Sequence, residues 1–450
     1  MIGNRWQHNC LRARTMAGKH AVKIDLILLN CRHSAMSLAQ SCGSGHQIAP
    51  IFCLDAPAAP PTNHSLFNYP PHFCPAATRP PPPPWLSWRP RHACLPCHPF
   101  QPKRSRMSLL AHPAHRGLLL TLLLMLTACQ PAPTRIQGKT MGTFYAVTLS
   151  DPFPGGEPAL QQEVDALLVR MNHEISTYDP NSLISRFNQG SGQPPMAIPA
   201  TMANIVQQGI DAGHLTAGKL DVTVGPLVNL WGFGPDKRPV KRPSAEQIAS
   251  ARHKVGIDRL TLAPEGDHFL LGKRIPDLYL DLSTLGEGAA SDEIAGLLEQ
   301  KGVHNYLIEV AGAVRSKGNN AKGKPWRVAI VEPSDQPGAF SDVVIPNGMA
   351  LSTAGSYRNY YELDGKRYSH IIDPATGQPI THKLVSASVI TPTALEADAL
   401  DTALMVMGPE QAMAFAKAHG LAVYLIVKTE QGFAASHTPQ FAPYLVTKQP

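Results

Sequence analysis

Cysteine is absent from the 321 residues that follow Cys129; the eight in the chain are Cys10, Cys31, Cys42, Cys53, Cys74, Cys94, Cys97 and Cys129. That absence excludes a thiol nucleophile and disulfide stapling from most of the molecule, and it is compatible with an oxidising compartment without requiring one. Cys94 and Cys97 form CLPC, a spacing used by metal and redox sites, but no second pair follows in a foldable context. Acidic residues are nearly missing from the first 128 positions, where 2 stand against 13 Lys and Arg; the remaining residues hold 31 against 27, a net charge of −4. The positive balance of the whole chain, +7, therefore comes from the leading segment, which holds 13 − 2 = +11, and a nucleic-acid-binding function loses its support. No GxSxG elbow is present, so the ordinary acyl-transfer schemes have little to stand on.

Residues 1–106 contain APAAPPTNH and RPPPPPWLSWRP, with little periodicity, a composition that favours disorder or extended chain. Met107 opens an export signal complete in itself. Arg116 and two histidines precede the ten-residue apolar run LLLTLLLMLT, too short for an ordinary spanning helix, and LTAC closes it. LTAC resembles the lipobox of bacterial lipoproteins, in which the cysteine is acylated and becomes the new N-terminus. The expected organisation is a low-complexity Pro/Cys-rich extension at 1–106, whose translation the sequence leaves open, a lipoprotein signal peptide at 107–128 and a globular body at 129–450. Acyl chains on Cys129 would hold that body at a membrane surface.

The body alternates the two periodicities. TFYAVTLS, NYLIEVAG, PWRVAIVEP, GMALSTAG, LVSASVIT and LAVYLIVKT read as strands, and PALQQEVDALLVRMNHEIS, IVQQGIDAGHLTAG and DEIAGLLEQKG as helices. EADALDTALMVMG and PEQAMAFAKAHG read as two helices parted at Gly408 and Pro409. The mixture predicts an α+β fold, or a mixed sheet with packed helices, without internal repeats.

Several polar, glycine-rich strings interrupt this pattern. GKTMGTFYAV sets Met141, Gly142 and Thr143 at a strand entry; ISTYDPNSLISRFN places Tyr178 by an Asp-Pro turn with Asn181 and Ser182 at a helix start, where capping alone explains the polar pair. Asp221 opens AGKLDVTVGPLVNLWGFG, a strand-like run with a tight turn. DLSTLGEGAASDEI, just before a helix, groups Asp281, Ser283, Thr284 and Glu287 around Gly286 and Gly288; amides at such a junction can receive phosphate, although neither a Walker lysine nor GxGxxG is present. In YSHIIDPATGQPI, His370 stands three residues from Asp373, a pair that could orient a hydroxyl or accept its proton. Asp398, Asp401 and Thr402 of EADALDTA fall at helical spacing on one side. Either they cap and solvate a helix or, with Asp281 and Thr284, they offer the all-oxygen environment that suits Mg²⁺.

In this order, MGTFYAV, STYDPNS with RFN, GKLDVTVGPLVNLWGFG, DLSTLGEG, PWRVAI, SHIIDPATGQP and EADALDTA resemble the bacterial FAD:protein FMN transferases, the ApbE-type flavin transferase lipoproteins, over nearly all of residues 129–450. The resemblance implies a two-lobed α+β enzyme with mixed sheets, on the periplasmic face of the inner membrane. Such an enzyme splits FAD with Mg²⁺, transfers FMN through its phosphate to a threonine or serine of an acceptor flavoprotein subunit in a membrane electron-transfer complex, and releases AMP. It implies that Met141, Tyr178, Lys219, Leu220, Asp221, Asp281, Glu287 and Ile372 contact FAD. Thr284, Asp398 and Thr402 match metal positions, with Asp401 beside them, and His370 matches the histidine near the reaction centre. His370 or Asp373 would take the proton of the acceptor hydroxyl. The sequence departs from the family pattern at Ala311, commonly glycine, at Ala313, often acidic, at Ala289, commonly aromatic, and at Glu287, where many members carry lysine. A pyrophosphatase giving FMN and AMP, and a non-catalytic FAD-binding lipoprotein, are the other functions compatible with these residues.

Overall fold

The computed structural model describes residues 133–446 apart from 192, 193, 236–238, 240, 335 and 337. The extension, the signal segment and Cys129 lie outside the described residues. The centre is an eight-stranded sheet whose strands lie side by side in chain order: β1 (Thr134–Thr140), β2 (Thr143–Leu149), β3 (Tyr306–Val310), β4 (Ala313–Lys317), β5 (Ala350–Gly355), β6 (Leu384–Thr391), β7 (Ala422–Thr429) and β8 (Gly432–His437). Each neighbouring pair is antiparallel. The expected α+β class holds; its mixing lies in helices inserted between strands.

The largest insertion separates β2 from β3 and carries α1 (Gly156–Ile175), α2 (Leu183–Gln189), α3 (Ala200–Leu215), α4 (Gly225–Leu230), α5 (Ala245–Arg252), α6 (Ser283–Gln300) and a small three-stranded sheet. Two hairpins, at residues 360–369 and 372–379, sit between β5 and β6, and α7 (Ala394–Met407) and α8 (Pro409–Ala418) sit between β6 and β7. Period-two burial builds the core on both faces of the far half of the sheet. On β7, Val423 and Leu425 join the apolar cluster of α7 and α8, while Tyr424 and Ile426 join a second cluster with Phe441. A larger cluster unites α1, α3 and α6 with β1, β2 and β3. Ser182 caps α2 by accepting the Ser185 N–H at 3.1 Å, a cap worth about 1 kcal/mol.

Two local expectations are corrected. DLSTLGEGAASDEI is no loop ahead of a helix: α6 begins at Ser283, so Gly286, Glu287 and Gly288 lie within it. Glycine weakens an isolated helix by about 1 kcal/mol relative to alanine, which is why the string reads as a break. Packing reverses that preference at Gly288, where a Cβ would lie 2.4 Å from the Ala394 carbonyl oxygen and 2.8 Å from the Asp398 Cβ. The run after Asp221 forms no strand, because Asp221 folds back on Thr223 and the chain enters the short helix α4.

Candidate active site

The close approach of α6 and α7 sets the acidic end of the site. Asp292 of α6 accepts the Ala394 and Leu395 N–H groups at 3.0 and 2.9 Å, satisfying the start of α7 with a charge of the sign that its dipole favours. One turn further, Asp398 and Asp401 point inward with 7% and 1% of their surface exposed. Asp398 Oδ2 accepts the Gly288 N–H at 2.8 Å, and Oδ1 receives the Ser352 hydroxyl at 3.4 Å. Thr402 donates its hydroxyl to Asp401 Oδ1 at 3.3 Å, while Asp401 Oδ2 is sealed from solvent without a hydrogen-bond partner.

Burial, followed by the negative charges of Asp401 and Glu287, holds the Asp398 carboxyl well above the ordinary carboxylate range. Burial is also the main cause at Asp401, opposed by the Ser352 and Thr402 hydroxyls. Glu287 is pushed up to about 7 by burial, against the lowering effect of the Gly312 N–H. Two buried carboxylates and the partly buried Glu287 are thus gathered, a costly arrangement unless a positive charge joins them. Among the described residues no group of three or more His, Cys, Asp or Glu side chains stands in metal-ligand spacing. The donors that do converge, two carboxylates and the hydroxyls of Thr402 and Ser352, are hard oxygen ligands, and the orphaned Asp401 Oδ2 fits a small cation completed by substrate oxygens. Thr284, half-buried, lies one helical turn before Gly288 and therefore on the face of α6 that meets Asp398.

The other end is aromatic. Met141 and Gly142 form the two-residue turn between β1 and β2 with φ of 49° and 76°, and the Met141 sulfur lies 3.5 Å from where a Gly286 Cβ would stand, at ordinary contact distance. Tyr178, 63% exposed, donates its hydroxyl to the Phe233 carbonyl at 3.1 Å; burial of its hydroxyl end, then the Asp281 charge, raises its pKa. Asp281 Oδ1 accepts from the Ser283 N–H and hydroxyl at 3.0 and 2.6 Å, fixing the entry to α6. Phe233 packs against Tyr361 and meets His370 edge-on, and Trp231, stacked on Tyr368, donates to the Gly377 carbonyl at 2.8 Å. The 372–379 hairpin is thereby fixed to the loop that carries Tyr178's partner.

His370 and Asp373 do not form the pair that their spacing suggests. His370 Nδ1 lies 3.0 Å from the Asn359 carbonyl, so that nitrogen carries the proton, and burial lowers the imidazole's proton affinity. Asp373 Oδ1 caps its own turn at the Ala375 N–H and lies 3.8 Å from Lys219 Nζ. Three other expected ligand residues are held by the fold around them. Leu220 is buried in the main core with its N–H on Thr216 Oγ1, Ile372 is buried beside Leu227 and Trp231, and Asp221 Oδ1 accepts from the Thr223 N–H and hydroxyl. Ser352 and Gly312 are participants that the sequence reading missed, while Gly288, expected at a phosphate-receiving junction, gives its N–H to Asp398. The available signal for Ser352 was a hydroxyl pair ahead of a glycine in LSTAGS; Gly312 carried none without the fold.

The fold that places these groups is that of solved flavin transferases. A histidine-to-glycine variant of the flavin transferase ApbE from Vibrio cholerae superposes with a TM-score of 0.64 at 44% identity, covering 70% of this chain and 100% of its own. The apo flavinyl transferase ApbE of Pseudomonas stutzeri gives 0.64 at 38% identity over 70% and 98%. By sequence the chain is 48% identical to the FAD:protein FMN transferase of Klebsiella pneumoniae, covering 74% of this chain and 97% of that protein, and 46% identical to its Escherichia coli K12 counterpart over 74% and 98%. The chain belongs to the ApbE family of enzymes, whose sequence profile matches residues 141–425.

Proposed function

We propose that the protein transfers the FMN moiety of FAD to a threonine or serine hydroxyl of an acceptor flavoprotein subunit, with Mg²⁺ held by Asp398, Asp401, Thr402 and Thr284, and releases AMP. The observation that carries this reading is Asp401 Oδ2, a buried carboxylate oxygen without a partner beside a second buried carboxylate. In the transfer the acceptor oxygen bonds to the FMN phosphorus, the phosphoanhydride bond to AMP breaks, and the hydroxyl proton passes to a base. Bound at this site, Mg²⁺ would neutralise charge on the pyrophosphate and the departing AMP.

The chain's own groups suit the remaining tasks. His370 is the better base: its Nδ1–H is committed to Asn359, leaving the Nε2 lone pair as the acceptor, and burial keeps the ring neutral. Asp373 serves instead to hold Lys219. Tyr178 presents an exposed ring, tethered through its hydroxyl, on which a planar flavin or adenine can stack. Asp398 fixes the α6–α7 junction through Gly288 while its other oxygen stays toward Ser352.

Among the described residues no helix is long and apolar enough to cross a membrane. Acylation of Cys129 is the anchor that the signal sequence supports, with the body of residues 129–450 at the periplasmic face of the inner membrane and its acceptor in a membrane electron-transfer complex. Incubation with FAD, Mg²⁺ and a threonine-bearing acceptor tests the reading on a denaturing gel. Covalent flavin fluorescence on the acceptor is expected; free FMN alone would make the protein a pyrophosphatase, and unchanged FAD a binder.

A further inference from the structure

A cavity of about 430 Å³ is lined by none of the site's carboxylates and has the opposite chemistry. Arg367, Lys383 and Lys428 line it from three segments of the chain, against the single carboxylate of Glu430. The Lys428 N–H donates to the Lys383 carbonyl at 2.9 Å, so the two lysines belong to adjoining strand ends of β6 and β7. Like charges on neighbouring strands are destabilising, and no ion pair among the described residues takes up either ammonium group. The Arg367 guanidinium is pinned 3.4 Å above the Tyr360 ring centroid and donates one N–H to the Ser356 carbonyl at 3.2 Å, leaving further donors in its fork. His382 also lines the cavity; the Met405 carbonyl approaches it, yet neither buried ring nitrogen makes a hydrogen bond.

The cavity shares a stretch of backbone with His370: its lining Ile380 donates its N–H to the Ile371 carbonyl at 3.0 Å. Ser369, one of its lining residues, immediately precedes His370, and Ser356 follows β5, the strand that carries Ser352. We infer that this cavity seats an acidic side chain of the acceptor protein, flanking the hydroxyl that receives FMN. The inference rests on the transferase reading for its partner, and on three cations facing one carboxylate for its chemistry. In this arrangement an extended acceptor would set its hydroxyl at His370 and an acidic residue close to it in sequence in the cavity. Paired lysines and a pinned arginine give such a segment a charge-complementary seat, which acts on encounter and register.

Two measurements on the full protein test this. The first is equilibrium binding of fluorescent threonine-containing peptides, with two Asp residues beside the threonine or with Asn in their place. The second is FMN transfer to the same peptides in FAD and Mg²⁺. Wild-type protein should bind the acidic peptide at least tenfold more tightly, with the preference shrinking as salt is raised. Lys383→Glu with Lys428→Glu should abolish the preference and raise KM for the acidic peptide about tenfold, leaving the neutral peptide's KM and FAD turnover without acceptor unchanged. Equal binding of the two peptides, or a preference untouched by the double variant, overturns the inference. So does a variant that loses only binding to anionic phospholipid vesicles. A lysine-dependent preference without any FAD turnover would keep the cavity's role and defeat the transferase reading instead.

Discussion

Asp401 is one methylene shorter than a glutamate and sits where that length matters: one oxygen reaches the Thr402 hydroxyl and the other reaches nothing. Asp401→Asn keeps the shape and removes the charge. In EDTA its Tm should equal or exceed that of the wild type, because a like-charge contact with Asp398 has gone; Mg²⁺ should no longer raise it, and FMN transfer should fall by about 10² or more. A variant that keeps full Mg²⁺-dependent transfer would remove Asp401 from the cation site. At His370 the proton affinity is lowered below that of a free imidazole, chiefly by burial. The unfolded state then binds more protons than the native one below the unperturbed pKa of about 6.5, so this group's share of stability is lost as pH falls below that value. With the same neutral ring as the proposed base, transfer should be flat above about pH 6.5 and fall on the acid side, with the fall missing in His370→Gln. The helical spacing of EADALDTA made Asp398, Asp401 and Thr402 legible as a set. Glu287 and Ser352 reach them only through the fold, and local spacing misjudged Asp373, whose partner is Lys219, distant in sequence.

Among the elements, helix α6 shows why the site's centre was read as a loop. Local propensity disfavours two glycines in a helix, and only the arrival of α7 shows that Gly288 has no room for a side chain. Gly288→Ala should therefore destabilise the protein by about 1–3 kcal/mol in denaturant unfolding, against the ~1 kcal/mol gain expected from helix propensity alone, and should disturb the Asp398 contact as well. Stabilisation would mean that the two helices are not in close contact. The β3–β4 turn makes the converse case. Ala311 holds φ of 49°, and its N–H donates to the Phe144 carbonyl at 3.0 Å. Ala311→Gly removes that strain and should raise stability by about 1 kcal/mol without altering the donor that Gly312 offers Glu287. Strands and long helices were legible from their periods, whereas DVTV alternated like a strand and was claimed by an aspartate-threonine turn.

Across the whole molecule, the sheet keeps chain order and the insertions between its strands carry the chemistry, so acidic, aromatic and basic regions arise from different connections of one scaffold. The charge division was legible at once: the leading segment carries +11 of a total of +7, and the body, at −4, buries carboxylates at the site while three basic residues line the cavity. Motif order was equally legible and led to the ApbE family. The cavity was not, because Arg367, Lys383 and Lys428 belong to no string that reads as a motif. Group transfer from FAD to a protein hydroxyl is decided by AMP release measured against covalent flavin in one reaction. One AMP is expected for each flavin bound to the acceptor, both abolished by EDTA; AMP accompanied by an equal amount of free FMN, with no flavin on the acceptor, would rule group transfer out.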